Sequence, residues 1–440
     1  MPPKVIVAFL VIFIGSNPAT AMGADEAAPS SVEELIRQLG SNKFADRERA
    51  SRLLKERGLA ALPALQKASH DPDREVQRRV QELIPAIKAT AAFEPKSVSL
   101  EKELPLARVL QEIGKQTGYQ VHVDKKNEKL LCADGMTKLP FWEAVERVRA
   151  QADVTVDLPA LDDRPWWARL GKTGVRLNRI RDNSGWVSID GAFRLETVRL
   201  HEDRDMDLAK PGRDNSWGER SQLLTITLGV RAEPKLVLLA IENPKVEVAL
   251  DEEKKPLPPP RANPERDHLA EMRRFFMRHE DVAYEQTTEI VLRRSSEKAK
   301  KIALLRGSMM VQVVIEQAPV VVCDNLATLQ GTKRKISNSL FEVLEFRQNG
   351  NESHLRIKLP RDQDHVDMRW PERIHLEDEK GNRYAAEESQ HSSSNAVQEF
   401  GFTYRQRGNA RMGPPKRLVV DDWTILRHEL KFQFTDVPLP

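Results

Sequence analysis

Only two cysteines occur in 440 residues, Cys132 and Cys323, so a disulfide framework is excluded. There is no excess of one charge either: 69 Lys and Arg stand against 66 Asp and Glu, a formal net charge of +3. A balance that close gives no basis for nucleic acid as the main partner, which calls for a basic face. No Gly-x-Ser-x-Gly elbow and no Cys-x-x-Cys pair occurs. The longest apolar run, Val5 to Ile14, has ten residues, about half of what a membrane span requires. At roughly 100–200 residues per domain, the length predicts about three compact units.

That apolar run follows Met1-Pro2-Pro3-Lys4 and precedes Ala19-Thr20-Ala21. A basic start, a short apolar stretch and small residues at the end make a secretory leader, with cleavage expected after Ala21. No cysteine lies near that point, which argues against a lipid-anchored form. The expectation is a soluble periplasmic or secreted protein.

Residues 31–90 carry helical periodicity. Val32, Leu35, Ile36 and Leu39 form one stripe, and Ser31 with Glu34 forms a capping box. Phe44, Ala50, Leu53 and Leu54 predict the inward face of a second helix; Leu59, Leu62 and Leu65 that of a third; Val76, Val80, Leu83, Ile84 and Ile87 that of a fourth. Asp71 is placed to cap the last helix, with Pro72 in its first turn. The Leu62-Pro63-Ala64-Leu65 helix, the Asp71-Pro72 turn and the Val76 helix with its basic residues resemble a HEAT repeat. That resemblance implies a protein-binding solenoid, although two helix pairs are fewer than the three or so repeats that such arrays need. A small bundle that buttresses the next domain fits the same residues.

Residues 96–158 read as strand, helix, strand, strand, helix, strand: Val98 and Leu100; Pro105 to Ile113; Tyr119, Val121 and Val123; Lys129 to Ala133; Leu139 to Val148; Val154 to Val156. Pro105-Leu106, Val109-Leu110, Gln116-Thr117-Gly118 and Leu139-Pro140-Phe141-Trp142-Glu143-Ala144-Val145 resemble the short N-terminal domain of secretins and TonB-dependent receptors. The resemblance implies a periplasmic interaction module without catalytic residues. Nothing downstream matches a secretin core or a receptor barrel.

From about Pro165 the chain reads as short strands. Apolar or alternating runs at 187–189, 195–200, 223–230, 236–241 and 246–250 predict a β-sandwich-like domain over 165–255. Pro256, Pro258, Pro259, Pro260 and Pro264 mark an extended linker, followed by a helix with Leu269, Met272, Phe275 and Phe276, so that linker and helix occupy 256–282. Strand signals at 287–292, 311–315, 320–323, 341–346, 355–359, 418–420, 423–426 and 432–434 predict a second sandwich over 283–440, unless the two regions form one large domain. The serine-rich stretch Glu387 to Asn395 reads as a loop. The fold class expected is multi-domain α+β.

Each candidate chemistry has a plainer reading beside it. Gly171-Lys172-Thr173 ends like a phosphate loop, but Trp166 stands where its first glycine belongs. His428-Glu429 lacks a second histidine one turn on, where Phe432 stands. Asp203, Asp205, Asp207 and Asp214 have the spacing of a calcium loop, yet Leu208 replaces its glycine and Asp214 its glutamate; a solvated turn explains them equally. Asp362, Asp364, His365 and Asp367 suit a transition metal or acid/base work, and suit an exposed loop as well. Trp166, Trp167, Trp186 and Trp217 offer flat faces to a sugar or pack in a core. Cys132 and Cys323 read as buried thiols, with an inter-domain disulfide as the alternative.

No residue is therefore assigned as catalytic, cofactor-binding or metal-ligating, and no cofactor is expected. The sequence reads as an exported, non-enzymatic binding or scaffold protein that meets protein partners in a bacterial envelope. The alternative is a carbohydrate- or metal-dependent enzyme, or a glycan-binding protein, with its site in the β-rich C-terminal region.

Overall fold

The computed structural model describes residues 31–100, 104–123, 131–132, 135–152, 155–157, 174–178, 186–207, 219–260, 285–336, 339–360, 370–384, 386–394, 397–405 and 413–440. The leader and the helix expected around Leu269 to Phe276 lie outside them. The fold is mixed, helical at first and then dominated by antiparallel sheets, and it divides into two units, Met1–Lys88 and Ala89–Pro440.

In the first unit α1 (Val32–Gln38) starts as its sequence dictates, with Ser31 Oγ accepting from the Glu34 N–H at 3.1 Å. α2 (Phe44–Arg57), a short 3₁₀ turn and α3 (Leu62–Ala68) follow, then the start of α4 (Arg74–Phe93). Leu35, Leu39, Ala50, Leu54, Leu65, Val80 and Ile87 form the core. Three expectations are corrected, the first being Leu59, which lies in the 3₁₀ turn before α3 and is 59% exposed instead of inward. Phe44 is 66% exposed, because it opens α2 and lies against the Arg47 guanidinium instead of the core. The cap of α4 is Asp73, which accepts from the Glu75 N–H at 2.8 Å, while Asp71 bonds the Asp73 N–H one step earlier. Arg79, 8% exposed, ties α4 to α2 through Glu48 at 2.9 Å and Ser51 at 3.3 Å.

The second unit begins with the last turn of α4. β1 (Ser97–Leu100) and β2 (Leu104–Pro105) lead into α5 (Leu106–Thr117), which Gly118 ends at φ 79°. β3 (Gln120–Val123), β4 (Leu131–Cys132) and β5 (Met136–Pro140) precede α6 (Phe141–Ala152) and β6 (Thr155–Asp157). β7 (Gly174–Asn178) enters between β3 and β6, parallel to the first and antiparallel to the second. Phe141, Trp142, Val145, Leu110 and Ile113 pack together from the two helices.

β8 (Val187–Asp190), β9 (Phe193–Asp207) and β10 (Glu219–Ala232) form a meander. β11 (Val237–Ile241) and β12 (Lys245–Asp251) cross to another sheet, and β13 (Glu285–Arg293) returns to pair with β10. β14 (Lys301–Cys323) is 23 residues long and pairs with β11 and β12. β15 (Lys333–Ile336), β16 (Ser339–Asn349) and β17 (Glu352–Pro360) make a second meander. After α7 (Trp370–Arg373) come β18 (Ile374–Glu377), β19 (Arg383–Tyr384), β20 (Ala386–Ser393) and β21 (Val397–Arg405), and then the 22-residue β22 (Arg417–Pro438).

The sheet orders are β13-β10-β9-β8, β15-β16-β17-β21-β20 and β11-β14-β22-β18-β19, with β12 also on β14. β14 and β22 pair from Lys301 opposite Pro438 to Cys323 opposite Leu418. One apolar core lies between the first sheet and one end of this ribbon, with Phe193, Leu228, Leu305 and Phe432; another lies between the second sheet and the other end, with Phe341, Ile357, Leu376 and Leu418.

Three strand readings are thereby corrected. The breaks expected after 315 and inside 418–434 do not occur, since Glu316 to Pro319 continue β14 beyond β11, where that edge meets no strand among the described residues. Proline is tolerated on such an edge because no partner needs its missing N–H. Pro256 and Leu257, expected as the start of the linker, belong to a turn back onto the sheet, with Leu257 buried. The serine-rich stretch is β20, an edge strand held by backbone bonds to β21 whatever its polarity.

Candidate functional site

Two clusters of buried polar groups stand out in the second unit. The first joins the 97–157 module to the strands. Glu233 follows β10 and is fully buried. Its Oε2 accepts from the Tyr119 hydroxyl at 2.7 Å, its Oε1 from the Lys96 N–H at 3.2 Å, and Lys235 Nζ stands 3.9 Å from Oε2. Burial raises the Glu233 pKa against the pull of these donors, raises that of Tyr119, and lowers that of Lys235. Lys235 also donates to Ala91 O at 3.4 Å and to Glu94 O, so its charge lies at the C-terminal end of α4, where cations are favoured.

Beside it, Arg194 of β9 is 1% exposed and bonds Glu146 of α6 at 2.6 Å and Glu196 at 2.7 Å. Burial opposes its charge, but the two carboxylates outweigh it, so Arg194 stays protonated. Trp142 Nε1 donates to Ala192 O at 3.2 Å. Every strong donor here has an acceptor in a neighbouring element, which is the chemistry of a fixed joint between α6 and the β8–β9 turn.

The second cluster lies on β18, β19 and β22. His375 is 3% exposed; its Nε2 is 3.1 Å from Glu377 Oε1, and its Nδ1 is 3.9 Å from Asp421 Oδ2. Arg383 reaches both Asp421 oxygens at 3.1 Å, Arg417 bonds Glu377 at 2.7 Å, and Arg373 donates to Asp421 O while its guanidinium lies over Trp370 at 4.0 Å. Burial and Arg383 push the His375 pKa down against the carboxylates. Glu377 is shared between His375 and Arg417, and Asp421 is held by Arg383, so these bonds tie three strands together.

A surface cavity of about 250 Å³ lies among β8, β12, β14 and β22, where Asp190, Glu247, Arg306 and Lys431 line it beside Phe432. Glu247 and Arg306 pair across it at 3.3 Å.

The candidates read from sequence do not come together at either cluster. Gly171 to Thr173, Trp166, Trp167, Trp217, Leu208, Asp214 and Asp362 to Asp367 lie outside the described residues. Asp203, Asp205 and Asp207 sit in β9, on a strand instead of a turn, and Asp203 contacts His201 at 3.0 Å. Trp186 donates to Asp436 O at 3.0 Å. His428 lies in β22, stacked on Phe93 at 4.1 Å, and burial lowers its pKa. Cys323 is a half-buried free thiol that bonds Asn325 O. Among the described residues no three His, Cys, Asp or Glu side chains are grouped to hold a metal ion, and no helix is long and apolar enough to cross a membrane. Sequence reading missed Glu233, Arg194 and His375; its one available signal was a charged residue between apolar neighbours, as in Phe193-Arg194-Leu195.

Compared with protein-family models, curated proteins and solved structures, the chain finds no match.

Proposed function

We propose that this is an exported, non-enzymatic scaffold of the bacterial envelope, which holds HEAT-like, secretin-type and β-sandwich modules for protein partners. The observation that carries the reading is the full-length pairing of β14 with β22, which takes one ribbon through both β cores. A ribbon shared by two cores fixes their separation, which a scaffold needs and a single catalytic pocket does not. The 97–157 module adds a helix, α5, whose Arg108, Gln111 and Lys115 face solvent while its apolar side is buried.

Affinity capture from the organism's own envelope fraction tests the reading, using the full chain and its Arg108→Glu, Lys115→Glu variant. A defined protein partner lost in the variant supports a scaffold working through the secretin-type module. Retention of glycan or metal, with a hydrolytic activity abolished by Asp364→Ala or Asp367→Ala, favours the enzyme reading instead.

A further inference from the structure

We infer that residues 187–438 hold the same β module twice, and that each copy completes the other by exchanging half of its last strand. Both copies run a three-strand meander, cross to the ribbon sheet, turn tightly, return beside the third meander strand, and end in a long strand: β8-β9-β10, β12, β13, β14, and then β15-β16-β17, β18, β21, β22.

Local details agree as well. The first hairpins close on Asp190 opposite Phe193 and on Ile336 opposite Ser339. Five residues past Phe193 the ladder slips and leaves Val198 unpaired; five residues past Ser339 it slips again and leaves Leu344 unpaired. The crossing turns share a bonding scheme. The Asp251 N–H donates to Lys255 O at 3.0 Å, and the Asp378 N–H to Asn382 O at 3.1 Å. Asp251 Oδ1 accepts from the Glu253 and Lys255 N–H groups, as Asp378 Oδ1 does from those of Lys380 and Asn382. The fourth residue of each turn has positive φ, Lys254 at 63° and Gly381 at 80°. Six residues after each aspartate a buried side chain, Leu257 or Tyr384, returns to the core. The copies differ by β11 in the first, and by α7, β19 and the edge strand β20 in the second.

The equivalence fixes the geometry of the ribbon. Ala249 stands opposite Leu305 in the first copy, and Leu376 opposite Leu418 in the second. Eight residues further along each strand come Val313 and Leu426, and these two are paired with each other. A local two-fold axis therefore passes between them. Beyond it, β14 sends Val322 into the second core, and β22 sends Leu430, Phe432 and Phe434 into the first. The chain is in this respect an intramolecular, strand-exchanged dimer.

A specific protease site inserted between Gln330 and Gly331, both exposed and between the copies, tests this in the full chain. After cleavage of the folded protein, the two fragments are expected to elute together at the size of the intact chain, to separate only in denaturant, and to unfold in one transition. Fragments that part as two folded species, or separate transitions of the two β cores, overturn it. Native-state hydrogen exchange on the unaltered chain gives a second reading: amides of β14 and β22 on both sides of Val313 and Leu426 are expected to open in one global step. One core opening while the other stays protected contradicts the exchange. The inference shares the β14–β22 ribbon with the scaffold reading, but partner capture is a separate readout, so loss of the exchange and loss of a protein partner are distinguishable.

Discussion

The carboxylate of Asp190 accepts a hydrogen bond from the backbone N–H of Lys431 at 2.7 Å, and two residues along each strand Ser188 Oγ accepts from the Gln433 N–H at 3.1 Å. β8 thus meets the outer edge of β22 through side chains, without a ladder between them. A strand edge with open N–H groups is a template for aggregation, and short polar side chains that occupy those groups cover it. Replacing Asp190 with Ala is expected to cost about 1 kcal/mol, the net worth of one such bond, with a lower denaturant midpoint at unchanged m-value. An unchanged midpoint would show that water replaces the carboxylate at no loss.

Glu233 gives a pH signature. Its folded pKa lies above the ordinary 4.5, so the folded state holds the proton more tightly than the unfolded chain. The associated stability is fully present below pH 4.5 and is lost as pH rises through the folded value. Glu233→Gln keeps an oxygen for the Tyr119 hydroxyl and carries no charge. The variant is expected to gain in melting temperature relative to the parent as pH rises from 4.5, and to level off above the folded pKa. Parallel curves for the two proteins would mean that Glu233 is not the titrating group.

His375 has the opposite sign. Its folded pKa is depressed below 6.5, by burial and by Arg383, against Glu377 and Asp421; Arg417 and Arg373 complete the charges around these carboxylates. The stability it contributes is present above pH 6.5 and lost as pH falls through the folded value. His375→Gln is expected to flatten the acid side of the stability curve between pH 6.5 and the folded pKa. Acid sensitivity equal to that of the parent would place the loss elsewhere.

Gly307 is a close-approach glycine. A Cβ there would stand 2.2 Å from Lys245 O and 2.7 Å from Phe432 Cζ, so an alanine must push β12 off β14 or turn the ring out of the first core. Gly307→Ala is expected to cost about 3 kcal/mol, at the upper end for overpacking. Gly401, in β21, is the control: a Cβ there comes no nearer than 3.6 Å to Gln390 Cβ, and Gly401→Ala is expected to change the midpoint little. Equal effects at both positions would show that strand propensity outweighs steric contact.

Local elements were largely readable, because a buried face writes its period into the sequence. Leu106, Val109, Leu110 and Ile113 place α5, and the alternating burial of β17 follows its apolar residues, whereas β21 is not among the strands expected although Phe400, Phe402 and Tyr404 alternate in the same way. Pairing leaves no such trace. Tyr119 and Glu233 are 114 positions apart and Arg194 and Glu146 are 48, and neither pair has a local pattern. The Glu316 to Pro319 stretch looks like a break because sequence shows composition, while the ladder with β22 comes from residues about a hundred positions away. The repeated turn at Asp251 and Asp378 is visible as Asp-Glu in both places, but its meaning rests on backbone bonds.

The continuity of β14 through both cores underlies the scaffold account, and the distance between spin labels at Lys298 and Asp324, which flank the strand, measures it directly. At a rise of about 3.3 Å per residue, an unbroken strand separates its ends by about 70 Å, reduced somewhat by twist. Pulsed electron-spin measurements on the full chain, with labels at those two positions alone, are predicted to give one narrow distribution between about 60 and 70 Å. A broad or two-peaked distribution centred well below that range, as two strands hinged at Glu316 to Pro319 would produce, contradicts the account.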